Sequence, residues 1–260
     1  MPERTDSPRL LSRPDGSSLA YRRQPGRAPG VVFLGGLHSD MTGTKATFLA
    51  GHCRSAGRAF VRFDYFGHGA SSGRFEEGTI GRWAGDALAV LDEVAEGPQV
   101  LVGSSLGGWI MLLAALARPG RVRGLVGVAA APDFTEDLIW AQLPEEGRRR
   151  LEEEGVWHRP SAYGEAPYPI TRRLIEEARR HLLLRGPIGI ACPVRLIHGL
   201  EDEDVPWEVS LRLCRALAGG DVTLALVKGG GHRLSEPADL ERLAAAVEGL
   251  CRRVADGPGG

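Results

Sequence analysis

The chain has 260 residues, 43% of them hydrophobic, with a formal net charge of −1. That length suits one large α/β domain, and such a chain can bury roughly three quarters of its unfolded surface. The near-zero charge gives no broad field to draw it to nucleic acid or acidic lipid. The longest strongly apolar run, "WIMLLAALA", is too short to cross a bilayer. The four cysteines (Cys53, Cys192, Cys214, Cys251) are scattered and form no zinc-type spacing, which predicts a reducing compartment. The N-terminal "MPERTDSPRLLSRPDG" lacks an apolar h-region and carries acids, so it reads neither as a secretory signal nor as a transit peptide.

Along the chain, residues 9–23 carry "PDG" at their centre, a turn signal for an antiparallel hairpin edge. "GVVFLGG" (30–36), "RAFVRFDYFG" (58–67) and "QVLVGS" (99–104) read as buried strands. So do "RGLVGVAA" (123–130), "PVRLIHG" (193–199) and "VTLALVKGGG" (222–231). They are apolar on both faces, as parallel strands covered by helices must be. Helical patterns lie between them, including 81–95, 106–117, 207–218 and 238–254. Pro206 and Pro237 stand where helices start. This alternation predicts an α/β fold with a mostly parallel central sheet flanked by helices.

The stretch 132–187 breaks the rhythm. It offers no convincing strand, but helical patterns at 135–143, 144–154 and 170–184 and loop sequence with aromatic residues. We expect a helical lid inserted between core strands. The predicted organisation is a core in two parts, 1–131 and 188–260, with the lid at 132–187. The lid's Trp140, Trp157 and Tyr163 would either line an acyl pocket or form the lid's own core.

The chemistry centres on "LVGSSLGGW" (101–109). A tight strand-to-helix turn that presents a nucleophilic serine needs glycine two residues before and two after it. Ser105 has Gly103 and Gly107 there, whereas Ser104 has Val102 and Leu106. The flanking strand and buried helix are what such an elbow requires, so Ser105 is the candidate nucleophile. A serine hydroxyl needs a base, and in this architecture the order is Ser, acid, His. Of the seven histidines only His232 lies beyond all the others, on a glycine-lined turn after the last strand. His198 ends its own strand and reads as structural, and His38 lies nearest the expected pocket. The orienting acid should follow the penultimate strand, where "HGLEDEDVPW" supplies Glu201, Asp202, Glu203 and Asp204. Spacing alone leaves all four open. Two backbone N–H groups should form an oxyanion hole, one from Leu106 at its helix N-terminus and one from Leu37 after "VVFLGG".

With these residues placed, the chain resembles the α/β-hydrolase superfamily. "FLGGLHSDMTGTKA", "VRFDYFGHGASSG", "GPQVLVGSSLGGWIMLLAALARP", "GVWHRPSAYG" and "CPVRLIHGLEDEDVPWEVS" are similar to segments of its palmitoyl-protein thioesterase and acyl-glucuronide esterase group, bacterial relatives included. The similarity runs from about residue 16 to 247. The family pattern His-Gly-x-x-Asp-x-x-Val-Pro falls on His198, Gly199, Asp202, Val205 and Pro206, and so marks Asp202 as the acid. Where many superfamily members carry His-Gly at the oxyanion strand, this chain has Gly35–Gly36.

The resemblance implies a serine hydrolase of carboxylic esters or acyl thioesters, acting on small molecules or S-acylated proteins. Acyl glucuronides are implied as well. No metal or organic cofactor, no nucleic acid and no stable membrane insertion are expected. The start is too short for the family's mitochondrial presequence, so a bacterial cytoplasmic enzyme is expected. A peptidase and a non-catalytic ligand-binding member of the same fold are the alternatives.

Overall fold

A computed structural model describes residues 7–159 and 167–256. The chain opens on a hairpin, β1 (Arg9–Ser12) and β2 (Ser18–Gln24), paired antiparallel around the expected Pro-Asp-Gly turn. The core then runs β3 (Arg27–Leu34), α1 (Thr44–Ser55), β4 (Arg58–Phe63), α2 (Ile80–Ala89), β5 (Gln99–Ser104), α3 (Leu106–Ala117) and β6 (Val122–Val128). After an insertion come β9 (Val194–Gly199), α6 (Glu208–Ala216), β10 (Val222–Val227) and α7 (Pro237–Asp256). The eight strands form one sheet in the order β1-β2-β4-β3-β5-β6-β9-β10. From β4 to β10 every pairing is parallel, while β2 joins β4 antiparallel.

Strand alternation divides the core. Val31 and Phe33 of β3 pack with Leu49 of α1 and with Leu243 and Val247 of α7. Val32 and Leu34 pack on the opposite face with Trp83 of α2 and with Trp109 and Leu112 of α3. β5 is buried along its whole length, which is why it reads as a continuous apolar run. α3 sits at the centre and buries nine of its twelve residues, so it carries little amphipathic pattern. α7 covers the opposite face over β3, β5 and β6 and buries only a stripe, Leu240, Leu243, Ala244, Val247, Leu250 and Cys251. The predicted 81–95 helix is α2 followed by a π-helical turn, Val90–Val94. Thr79 opens α2, its Oγ1 accepting from the Arg82 N–H at 3.2 Å. α1 was not among the helices singled out in the sequence.

The insertion corrects the expectation of a purely helical lid. It contains a π-helical turn (Thr135–Ile139), a short 3-10 turn (Trp140–Gln142), α4 (Glu145–Glu153) and α5 (Arg172–Ala178). It also holds an antiparallel pair, β7 (Val156–Arg159) with β8 (Tyr168–Thr171). Each strand is four residues long, too short to show alternation, and Pro169 in β8 reads as a strand breaker. Proline is accepted here because this two-stranded ribbon leaves each strand an unpaired edge.

One buried acid under the sheet has a measurable consequence. Asp86 of α2 is fully buried; its Oδ2 accepts the Phe66 N–H at 2.9 Å, and its Oδ1 has no hydrogen-bond partner among the described residues. Burial pushes its carboxyl up to about 6, against the Phe66 hydrogen bond and Arg82, whose Nε lies 3.6 Å away. The folded chain therefore holds this proton more tightly than the unfolded chain. Stability from this group falls as pH rises from about 4 to about 6, and the deficit persists above. Asp86→Asn keeps the acceptor and removes the ionisation. Its melting temperature should exceed the parent's by about 2–5 °C at pH 8, with a smaller gap at pH 5. Thermal denaturation at the two pH values checks this; an equal gap at both contradicts it.

Candidate active site

The carboxyl ends of the parallel strands deliver the groups of interest, as is usual for open α/β sheets. Ser105 stands between β5 and α3 with φ 54° and ψ −116°. A non-glycine residue held there stores about 1–3 kcal/mol of backbone strain, offset by the packed turn around it. The two glycines are sterically required. A Cβ on Gly103 would lie 2.3 Å from the Gly107 carbonyl oxygen, and one on Gly107 would lie 2.1 Å from that of Leu34. The turn is anchored by the Ser105 N–H donating to Val128 O at 3.0 Å, and Ser105 O accepts from Gly108 and Ala131.

The loops after β9 and β10 bring Asp202 and His232 to this serine. The Ser105 hydroxyl donates to His232 Nε2 at 3.1 Å, and His232 Nδ1–H donates to Asp202 Oδ2 at 2.8 Å. The Asp202 side chain is fully buried, whereas that of His232 is 16% exposed. Asp202 Oδ1 accepts the backbone N–H groups of Asp204 (3.0 Å) and Val205 (2.8 Å). Burial alone would raise this carboxyl. Hydrogen bonds from His198 and His232, with the Val205 N–H, hold it well below the usual carboxylate range. Asp202 Oδ2 thus presents an acceptor to His232 Nδ1. Of its three acidic neighbours, Glu201 and Glu203 face solvent, and Asp204 reaches the cavity wall.

The Leu106 N–H is in the first turn of α3, where backbone donors have no intrahelical acceptor and the helix dipole is positive. Leu37 follows β3 on a loop that runs beside the serine: a Cβ on Gly36 would lie 3.6 Å from Ser105 Cβ. Both leucines line a cavity of about 360 Å³ that opens on Ser105 and His232. His38, the histidine expected nearest the pocket, is in its wall, its ring tilted 31° to that of Phe75 with centroids 3.7 Å apart.

The lining includes apolar Ala131, the last residue of the core's first part, with Phe134 and Leu138 from the start of the insertion. Lys45, Arg159, Tyr168, Asp204 and Arg233 add polar groups to it. Lys45 reaches from α1 to the His232 loop, donating to Arg233 O and, at 3.3 Å, to Ser235 Oγ. Burial and the nearby Arg233 lower it to about 8. Lys45, Arg159 and Tyr168 were not picked out in the sequence as pocket residues. Lys45 does lie in "FLGGLHSDMTGTKA", one of the segments that carry the family resemblance. Trp140 and Trp157 do not line the cavity and instead pack against the core. Tyr163 lies outside the described residues. Asp202, Asp204 and His232 bring metal-capable atoms within 4.8 Å of one another. Both ring nitrogens of His232 already hold protein partners, Asp202 Oδ2 at Nδ1 and Ser105 Oγ at Nε2.

A family model described as "Alpha/beta hydrolase family" matches residues 31–246. The chain belongs to the alpha/beta hydrolase family. This hydrolase is 47% identical over 242 residues to the cattle (Bos taurus) protein named palmitoyl-protein thioesterase ABHD10, mitochondrial, a match covering 93% of this chain and 79% of that one. The human (Homo sapiens) counterpart is 45% identical over the same coverage. Among solved structures, mouse alpha/beta hydrolase domain-containing protein 10 superposes with a TM-score of 0.89 at 44% identity, over 96% of this chain and all of that one. A bacterial chain from Agrobacterium vitis S4 gives the same TM-score at 41% identity, covering 93% and 96%. With thioesterase relatives along nearly its whole length, this alpha/beta hydrolase is an enzyme acting on ester or thioester bonds. Among the described residues no helix is long and apolar enough to cross a membrane.

Proposed function

We propose that the chain is a serine carboxylesterase or S-acyl thioesterase that works through Ser105, His232 and Asp202. One observation carries this reading: hydroxyl, imidazole and buried carboxylate stand in a single hydrogen-bonded line, 3.1 Å and 2.8 Å long in its two steps. His232 takes the Ser105 proton as the oxygen attacks the acyl carbonyl. The N–H groups of Leu106 and Leu37 receive the oxyanion, each donor contributing about 3–4 kcal/mol to the transition state. His232 then hands its proton to the departing alcohol or thiol. Water, deprotonated by the same imidazole, releases the acid from Ser105. Asp202 holds the ring and stabilises the imidazolium throughout.

On this reading the insertion 132–187 is a lid. Its Phe134 and Leu138 give the acyl group an apolar contact in the cavity. The substrate is a small-molecule ester or thioester, or an S-acylated protein, with acyl glucuronides within the same chemistry. No step needs a cofactor. The mammalian relatives are named as mitochondrial proteins, a location the expectation of a bacterial cytoplasmic enzyme does not share.

A panel of p-nitrophenyl esters and acyl thioesters graded by chain length, set beside aminoacyl arylamides, tests the proposal. Ester and thioester turnover with fluorophosphonate labelling is the expected result. Arylamide cleavage without ester turnover would make the chain a peptidase. Saturable binding with neither turnover nor labelling would make it a receptor.

A further inference from the structure

We infer that His198 is a positioning residue for the reaction proposed above: it donates a second imidazole N–H to Asp202 and thereby sets how much of that carboxylate's charge reaches His232. The inference rests on the proposed roles of Ser105, His232 and Asp202. His198 is the penultimate residue of β9 and is completely buried. Its Nε2 lies 2.8 Å from Val205 O and 3.0 Å from Asp202 Oδ2. Both neighbours are acceptors, so this nitrogen must carry a proton and share it between them. Nδ1 lies 2.6 Å from Ser210 Oγ on α6, whose hydroxyl can donate to it. The ring is thus held from both ends, by Ser210 at Nδ1 and by Asp202 and Val205 at Nε2.

The consequence falls on Asp202. Its Oδ1 takes two backbone N–H groups and its Oδ2 takes two imidazole N–H groups, so all of about four lone-pair sites are used. The carboxylate cannot rotate without breaking bonds on both oxygens. Oδ2 is also shared: density drawn toward His198 is withheld from His232. A histidine buried merely to fill space would not need its N–H aimed at the one oxygen that His232 uses.

The groups bearing on His232 are Asp202 and Ser105 in direct contact, Asp204 beside it, and Arg233 next in the chain. Lys45 is bonded to the same loop, and Arg159 and His38 are in the cavity wall. Bearing on His198 are Asp202, Ser210 and the Val205 carbonyl. Among the described contacts, the path from position 198 to His232 runs through Asp202 Oδ2.

The test compares His198→Phe, which keeps the ring and loses the donor, with His198→Gln, which restores an N–H near the Nε2 position. Phe should lower kcat for a p-nitrophenyl ester by about 10–100-fold with little change in KM. It should also move the acid limb of the kcat/KM profile up by about half to one pH unit, because Asp202 then spends its charge on one ring. Gln should recover most of kcat and return the limb. A titration of His232 by NMR on histidine-labelled protein should show the same shift, and it needs no turnover. If Phe does not fold, His198→Asn replaces it, since that amide is too short to reach Asp202. A folded Phe or Asn variant with parental kcat and an unshifted His232 titration overturns the inference. So do Phe and Gln variants that match in kcat, limb and melting temperature. Lack of turnover and labelling in the parent would instead sink the hydrolase proposal.

Discussion

Ser105→Ala is expected to lower kcat/KM for esters and thioesters by about 10⁴–10⁶-fold and to abolish fluorophosphonate labelling. The geometry sets the size of the loss. Among the described residues the cavity offers one hydroxyl directed at His232 Nε2, and it belongs to Ser105. Without it no acyl-enzyme forms, and only the oxyanion donors and substrate binding remain to favour direct attack by water. The fold should survive. Ser105 owes its unusual backbone angles to the turn, and alanine there has the same Cβ. A small gain in melting temperature would fit relief of a site built for reactivity. A folded alanine variant with parental turnover would end the assignment.

Asp202→Asn should cost nearly as much, about 10⁴-fold in kcat, and for a specific reason. Two backbone N–H groups, from Asp204 and Val205, claim one oxygen of this side chain. An asparagine will turn its oxygen to them, since its NH₂ there would face two donors. Its NH₂ must then point at His232 Nδ1 and His198 Nε2, where the aspartate presented an acceptor. His232 is driven to carry its proton on Nε2, the nitrogen that should accept from Ser105. The base becomes a donor facing a donor. KM should change little because Asp202 does not line the cavity. Steady-state kinetics of the folded variant decide this. A variant within tenfold of the parent in kcat would show that the carboxylate does not govern the tautomer.

The sheet and its elbow were legible because both rest on local rules. Strands buried on two faces are continuous apolar runs, and the turn at Ser105 excludes any side chain at Gly103 and Gly107. The choice among Glu201, Asp202, Glu203 and Asp204 was not legible from spacing. It depends on which of four adjacent carboxylates the loop folds inward, and the family register had to supply it. The lid strands β7 and β8 were missed because four-residue strands carry almost no periodic signal. Lys45 and Arg159 were missed for another reason. They reach the cavity from α1 and from the insertion, so only tertiary structure brings them beside residues far away in the chain.

The strands flanking the insertion, β6 and β9, are hydrogen-bonded neighbours. The two are parallel, so the chain leaves the scaffold at the carboxyl end of β6 and crosses back to the amino end of β9. A cap of different length or sequence can be spliced in there without unzipping a strand pair. The cavity residues Phe134 and Leu138 would change with it, while the elbow and the two loops carrying Asp202 and His232 would stay as they are. On the proposed role of the cap, exchanging it between relatives is expected to redirect selectivity while leaving Ser105, Asp202 and His232 in place.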